Sequence, residues 1–280
     1  MTQHRARSIE RIKVNLPGEE MEKEYKIYPI IMILVIIASC VGIKPRNKEP
    51  EKGFDLLSEG EEVKFGHYVD ACIQKDFAVL PAEKHPKIYQ AVEEIGRSLA
   101  HVSDRSDLNY TFKILNTDLV NAFAGPGGYV YITTGLLEFA KSRDEVAGVM
   151  AHELGHVSAR HVVKQYRNAT YAQTLKTPII LGSKIIGYGI VGNLSQFSAL
   201  FFLQGYSREC ERQADYLGVK YMLAANYNPE GMVSFLKRIW DEKEKEKKEG
   251  IVKVFFRSHP KTLERIQDIE KYIEALRKKE

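Results

Sequence analysis

The chain has little that would tie it to a nucleic acid, a disulfide scaffold or a bundle of membrane spans. Its 41 Lys and Arg are nearly matched by 37 Asp and Glu, leaving a net charge of +4 over 280 residues. The basic residues are scattered, so no nucleic-acid partner is expected. Cysteine is scarce, at Cys40, Cys72 and Cys210 only. One bridge, Cys72 to Cys210, is the most that could form if Cys40 is consumed, and an oxidising compartment would permit it. Unbroken apolar runs are short. Pro29–Ser39 falls well below the ~20 residues of a comfortable span. Residues 178–203 are apolar too, but Lys184, Asn193, Gln196 and four glycines interrupt them. A protein with several transmembrane helices is therefore excluded. With 44% hydrophobic residues the chain can still bury one sizeable core.

What is present is concentrated between Glu145 and His161. That stretch contains His152-Glu153-Leu-Gly-His156. Residues four apart share a helix face, so both imidazoles can reach one metal ion, with Glu153 placed to hold a water beside it. Ser142 and Glu145 form a capping-box pattern, and Asp144 and Glu145 put negative charge at the positive end of the helix. Val146, Val149, Met150, Leu154 and Val157 give it an apolar stripe. Polar ligands in so apolar a helix are costly to bury without a partner.

A third histidine in the metzincin spacing is excluded, because Ala159 and Val162 stand where Gly and His would be needed. His161 lies about 140° round a continuous helix from His156 and is expected to face elsewhere. The remaining source is Tyr206–Gly218, where Glu211 and Asp215 are four apart and share a face. One can bind zinc; the other can accept from the free ring nitrogen of a ligand histidine. Glu209 points away.

Taken together, His-Glu-Leu-Gly-His-Val-x-x-Arg-His and the later Ser-Arg-x-x-Glu-x-x-Ala-Asp resemble the M48 metallopeptidases, over roughly Leu56 to the C-terminus. The resemblance implies Glu211 as third zinc ligand, Asp215 behind the ligands and a zincin-like fold of the gluzincin type. It also favours Asn121 and Ala122 as a wall for an extended peptide. Ser258-His259-Pro260 with Arg265 resembles the family's C-terminal motif, which makes His259 either a self-inhibitory fourth ligand or an oxyanion donor. One Zn²⁺ per chain is expected, with Glu153 as general acid and base. The CAAX prenyl branch of the family is set aside, since its members need several membrane spans.

The N-terminal region fits export. Pro29–Ser39 has the length of a signal-peptide core, and Ile37-Ala38-Ser39-Cys40 resembles a bacterial lipobox, with Met21 an alternative start. Cys40 would then be the acylated first residue; the competing reading is an uncleaved anchor with Cys40 inert. Either puts the catalytic part outside the cytoplasm, and the first makes a periplasm-facing lipoprotein of a bacterial cell envelope. Residues 1–39 are assigned to the leader, 40–54 to a lipidated linker and 55–280 to the zinc peptidase domain.

That domain is expected to be α+β, mainly α, with a small antiparallel sheet beside the metal helix. Helices are predicted from Leu56 to about Lys75, with Leu57, Val63, Phe65, Val69 and Ile73, and from Lys87 to Ala100, with Ile88, Val92, Ile95 and Leu99 inward. Strands are predicted at 110–115, 120–123 and 129–133, the last two joined by Ala124-Gly-Pro-Gly-Gly128. That hairpin needs no function, or it offers an edge for β-augmentation. The metal helix is expected to run to about Thr174. Residues 178–203 read as a buried helix with a glycine-rich loop, or as an apolar flap over the cleft. The 241–250 run of alternating charges reads as a solvated extension. The last helix, 262–278, would turn Leu263, Ile266, Ile269 and Ile273 inward. The expected partners are unfolded or misassembled envelope proteins, cleaved in quality control. The alternative is a chaperone or assembly lipoprotein whose zinc site is mostly plugged.

Overall fold

A computed structural model describes residues 57–165, 205–245, 252–260 and 262–278, all within the unit Asn47–Glu280. The expected signal run, Cys40, the linker, most of the extension to Thr174, residues 178–203 and the end of the charge run lie outside the described residues.

Helix α1 (Glu59–Asp76) starts where Ser58 accepts from the Glu61 amide and Glu61 accepts from the Ser58 amide, a complete capping box. It buries Val69 and Ile73 as expected, but also Glu62 and Asp70. Asp70 is tolerated because Lys113 Nζ donates to it at 2.6 Å and Tyr131 Oη at 2.9 Å. Helix α2 (Pro86–His101) packs through Val92, Ile95 and Leu99. Ile88, expected inward, is 42% exposed instead.

The three strands are β1 (Thr111–Leu115), β2 (Ala122–Ala124) and β3 (Tyr129–Thr133), in the order β1-β3-β2. The sheet is mixed rather than wholly antiparallel. β2 and β3 form the expected antiparallel hairpin, but β3 also pairs parallel with β1. The chain reverses once between β1 and β2 and again at Pro126–Gly128, so β3 enters between them in the direction of β1. The second reversal is a single 3₁₀ turn in which Gly127 and Gly128 take φ of 71° and 89°, values a side chain would strain. The central strand shows the two-residue alternation of a sheet covered on both faces. Val130 and Ile132 join the main core, whereas Tyr129 and Tyr131 join a smaller cluster with Val69, Ile73, Phe77, Leu115, Phe123 and Val254.

A short helix that the sequence pattern does not suggest, α3 (Thr134–Phe139), follows at once, capped by Thr133. The metal helix, α4 (Arg143–Ser158), is buried at nearly every position from Glu145 to Val157. Helices α5 (Arg208–Ala224) and α6 (Glu230–Lys245) pack against it. A further short helix, α7 (Lys253–Ser258), precedes α8 (Thr262–Arg277). Ile266, Ile269 and Ile273 of α8 are inward, but Leu263 is 46% exposed.

Glycine decides how closely α4 and α5 approach. A Cβ on Gly155 would lie 2.7 Å from the Ala214 carbonyl oxygen, and one on Gly218 would lie 3.1 Å from the His152 amide nitrogen. Backbone therefore sits against backbone where the histidines of α4 face the carboxylates of α5. No helix among the described residues is long and apolar enough to cross a membrane.

Candidate metal centre

α4 begins at Ser142, whose Oγ accepts from the Glu145 amide at 3.2 Å. The other half of the expected capping box does not form. The Glu145 carboxylate accepts from the Lys141 amide, Ser234 Oγ and Arg238 instead, so it fastens the start of α4 to α6. About two turns after Glu145, the helix presents His152, Glu153 and His156, all buried. The two Nε2 atoms of the histidines lie 3.0 Å apart and face the same point.

α5 begins at Ser207, which caps the Cys210 amide. Glu211 and Asp215 share its buried face, while Glu209 is exposed and pairs with Arg212. Glu211 Oε1 is 3.4 Å from His156 Nε2, and its Oε2 is 3.6 Å from His152 Nε2. Asp215 Oδ1 lies 2.8 Å from Nδ1, the opposite nitrogen of His152. The two carboxylates thus stand on the two sides of one imidazole.

His259, at the end of α7, enters the same centre. It is 1% exposed, with Nδ1 3.3 Å from His152 Nε2 and 3.4 Å from Glu211 Oε2. Its Nε2 is 3.4 Å from both the Ala122 carbonyl oxygen and Glu153 Oε1. Beside it, Ser258 Oγ donates to Asn121 Oδ1 at 3.1 Å. Asn121 and Ala122, the expected peptide wall, are fully buried here beneath Ser258 and His259.

These residues fit a metal ion. Ligand atoms of His152, His156, Glu211 and His259 lie within 4.8 Å of one another. Both carboxylate oxygens of Glu153 are buried without a hydrogen-bond partner. An orphaned buried carboxylate is costly, and a cation beside it offsets the cost. A donor set of imidazole nitrogens and one carboxylate suits zinc.

Arg265 is the functional residue that the sequence pattern underplays. On α8, it is 6% exposed and grips Asp215 with two bonds, Nε to Oδ2 at 2.8 Å and Nη2 to Oδ1 at 2.7 Å. Its Nη1 is 2.8 Å from Glu211 Oε2. Burial works against the charge on Glu211, but Arg265 and His259 outweigh it and hold the carboxyl well below the usual range. Asp215 is lowered against its burial in the same way, chiefly by Arg265. The only advance signal was the position of Arg265 downstream of Ser-His-Pro.

His161 departs from expectation. α4 ends at Ser158, and Arg160 adopts a left-handed φ of 53° before helical backbone resumes at His161. This break swings the ring back, so that His161 Nδ1 lies 2.9 Å from His156 Nδ1. Tyr206 stacks on the His156 ring with centroids 3.9 Å apart and lies 5.9 Å from the His161 ring. Burial, Glu153 and Glu211 push the Tyr206 hydroxyl well above its ordinary pKa. No disulfide joins Cys72 to Cys210, so the bridge that scarcity left open is not formed.

Comparison with known proteins supplies the family. Residues 86–273 match the model for Peptidase family M48, two thirds of the chain with the whole centre inside it.

The chain belongs to Peptidase family M48.

Its relatives include the mitochondrial metalloendopeptidase OMA1 of Schizosaccharomyces pombe, 30% identical over 70% of this chain and 55% of that protein. The beta-barrel assembly-enhancing protease of Escherichia coli K12 is 24% identical over 66% of this chain and 39% of its own length. OMA1 of Arabidopsis thaliana is 32% identical over 51% and 28%. This M48 chain therefore spans about half or less of the length of the curated relatives it matches.

Proposed function

We propose that the chain is a zinc-dependent endopeptidase of a bacterial cell envelope, acting on misfolded or misassembled proteins. The observation that carries the reading is the Glu153 carboxylate, fully buried, without a hydrogen-bond partner and beside a converging His152, His156 and Glu211. In this reading those three residues hold one Zn²⁺, and Asp215 fixes the ring of His152. When bound, zinc supplies Lewis acidity and lowers the pKa of a coordinated water toward ~7. Glu153 takes a proton from the attacking water and passes it to the leaving amine. The Ala122 edge receives the substrate backbone, and His259 leaves that edge to donate to the oxyanion.

The envelope assignment rests on the lipobox-like Ile37–Cys40, with the acylated Cys40 as tether and residues 40–54 as spacer. It agrees in kind with the names of the relatives, one for β-barrel assembly and others for mitochondria.

One observation favours a second reading, an assembly factor with a plugged site. His259 and Ser258 cover both the metal centre and the Asn121–Ala122 edge. The two readings part at Glu153→Gln. A peptidase loses cleavage of unfolded casein while keeping its zinc. Undiminished cleavage by Glu153→Gln would remove the residue from the mechanism, and full rescue of an assembly defect by it would favour the plugged factor.

A further inference from the structure

The two histidines of α4 are supported differently from behind. His152 meets a carboxylate, Asp215, with Nδ1 at 2.8 Å. His156 meets another imidazole, that of His161, at 2.9 Å. His161 is 2% exposed, and its second nitrogen, Nε2, lies 3.1 Å from Gln213 Oε1 on α5.

This arrangement fixes the protons. His156 turns Nε2 toward Glu211 and His152, so an ion there leaves its proton on Nδ1. That N–H donates to His161 Nδ1. His161 must then carry its own proton on Nε2, which donates to Gln213 Oε1. Each hydrogen bond has one donor and one acceptor, and both rings are neutral.

The aim of His161 depends on a device one residue earlier. The left-handed Arg160 donates from Nε to Glu62 Oε2 at 2.8 Å and from Nη2 to the Leu57 carbonyl at 2.6 Å. Glu62 also accepts from Arg105 Nη1 at 2.9 Å and from the Gly127 amide at 3.3 Å. A buried carboxylate on α1 thereby clamps the break that ends the metal helix. Without that break the ring would lie about 140° away from His156.

We propose that His161 is a positioning residue of the metal centre, a neutral outer partner that holds His156 in its metal-binding tautomer, relayed to Gln213 and aimed by the Glu62–Arg160 clamp. The inference rests on the zinc reading above. It makes the centre asymmetric: His152 is made more basic by a buried carboxylate, and His156 is oriented without added negative charge.

The test measures zinc affinity of the purified full chain by competition with a chromogenic chelator, and the visible spectrum of the Co²⁺-substituted chain. His161→Phe keeps an aromatic ring but removes the acceptor. It is expected to weaken zinc binding by about 10- to 100-fold and to shift the Co²⁺ bands. His161→Asn, whose Oδ1 can accept from His156 Nδ1, is expected to restore most of the affinity. Gln213→Glu, at a solvent-facing position, places a carboxylate at the end of the relay and is expected to tighten zinc several-fold. Wild-type affinity and spectrum in His161→Phe overturn the proposal, as does an Asn variant no better than Phe. If His161→Phe does not fold, unchanged affinity in Gln213→Glu overturns it. A wild-type chain that takes up no zinc sinks the peptidase reading as well, whereas zinc uptake indifferent to His161 sinks this inference alone.

Discussion

Substituting Gly155 by alanine adds one methyl group to the least accommodating place in the centre. The new Cβ would lie 2.7 Å from Ala214 O, 2.9 Å from Ala214 Cα and 3.2 Å from Ala214 C, all backbone atoms. Ordinary contact begins near 3.4 Å, so α5 must retreat from α4 by roughly 0.7 Å or more. Overpacking of this kind costs about 1–3 kcal/mol. For a domain of this size that is a melting-temperature drop of roughly 2–12 °C. The larger consequence is for the metal. Glu211 is three residues before Ala214 on the helix that must move, and zinc sites tolerate errors of only about 0.2 Å in ligand distance. Zinc affinity should therefore fall by at least about tenfold. The assays are thermal unfolding with and without chelator, and chelator competition for zinc. Gly60→Ala is the control, since nothing lies within 4 Å of its Cβ and alanine favours a helix. A Gly155→Ala protein with wild-type melting temperature and zinc affinity would refute the argument that backbone contact sets the position of Glu211.

Three further outcomes are expected. Glu62→Ala strips the carboxylate from the buried Arg105 and half-buried Arg160, at a cost of about 3–5 kcal/mol; a melting temperature within 2 °C of wild type would contradict the clamp. Arg265→Met leaves Asp215 and Glu211 buried without their guanidinium, so the variant should melt lower than wild type and depend more on zinc, with chelator producing a larger drop than in wild type. Glu61 is held below its ordinary pKa by hydrogen bonds from the Ser58 side chain and backbone. Its stabilisation is full above the unfolded value near 4.5 and is lost as pH falls through the lowered folded value. The gap in melting temperature between wild type and Glu61→Ala should accordingly be present at pH 7 and narrow at strongly acid pH; a gap independent of pH would show that the capping carboxylate is not its source.

Local sequence determined a good deal. His152, Glu153 and His156 were readable because helical spacing alone puts them together, and Glu211 and Asp215 because they repeat that spacing on a second segment. Helix starts at Ser58, Ser142 and Ser207 follow from side chains that bond amides within three residues. The β2–β3 hairpin was legible because its turn must be made of glycine. Ile88 and Leu263 were misplaced because periodicity reports a face, and those two residues lie outside the part of it that has a neighbour.

What tertiary structure alone decided is the environment of each of those groups. The parallel pairing of β1 with β3 depends on which strand enters between which. The burial of Glu62 and Asp70 depends on cations that lie 43 residues away in sequence, at Arg105 and Lys113. Arg265 meets Asp215 and Glu211 only because α8 crosses α5, and His161 turns back on His156 only because a distant carboxylate holds Arg160 in a conformation its own residue type disfavours. Spacing along one helix is enforced by bonds within that helix, so a sequence can state it. Charge pairing, backbone approach and ring orientation are settled between segments, after the chain has closed.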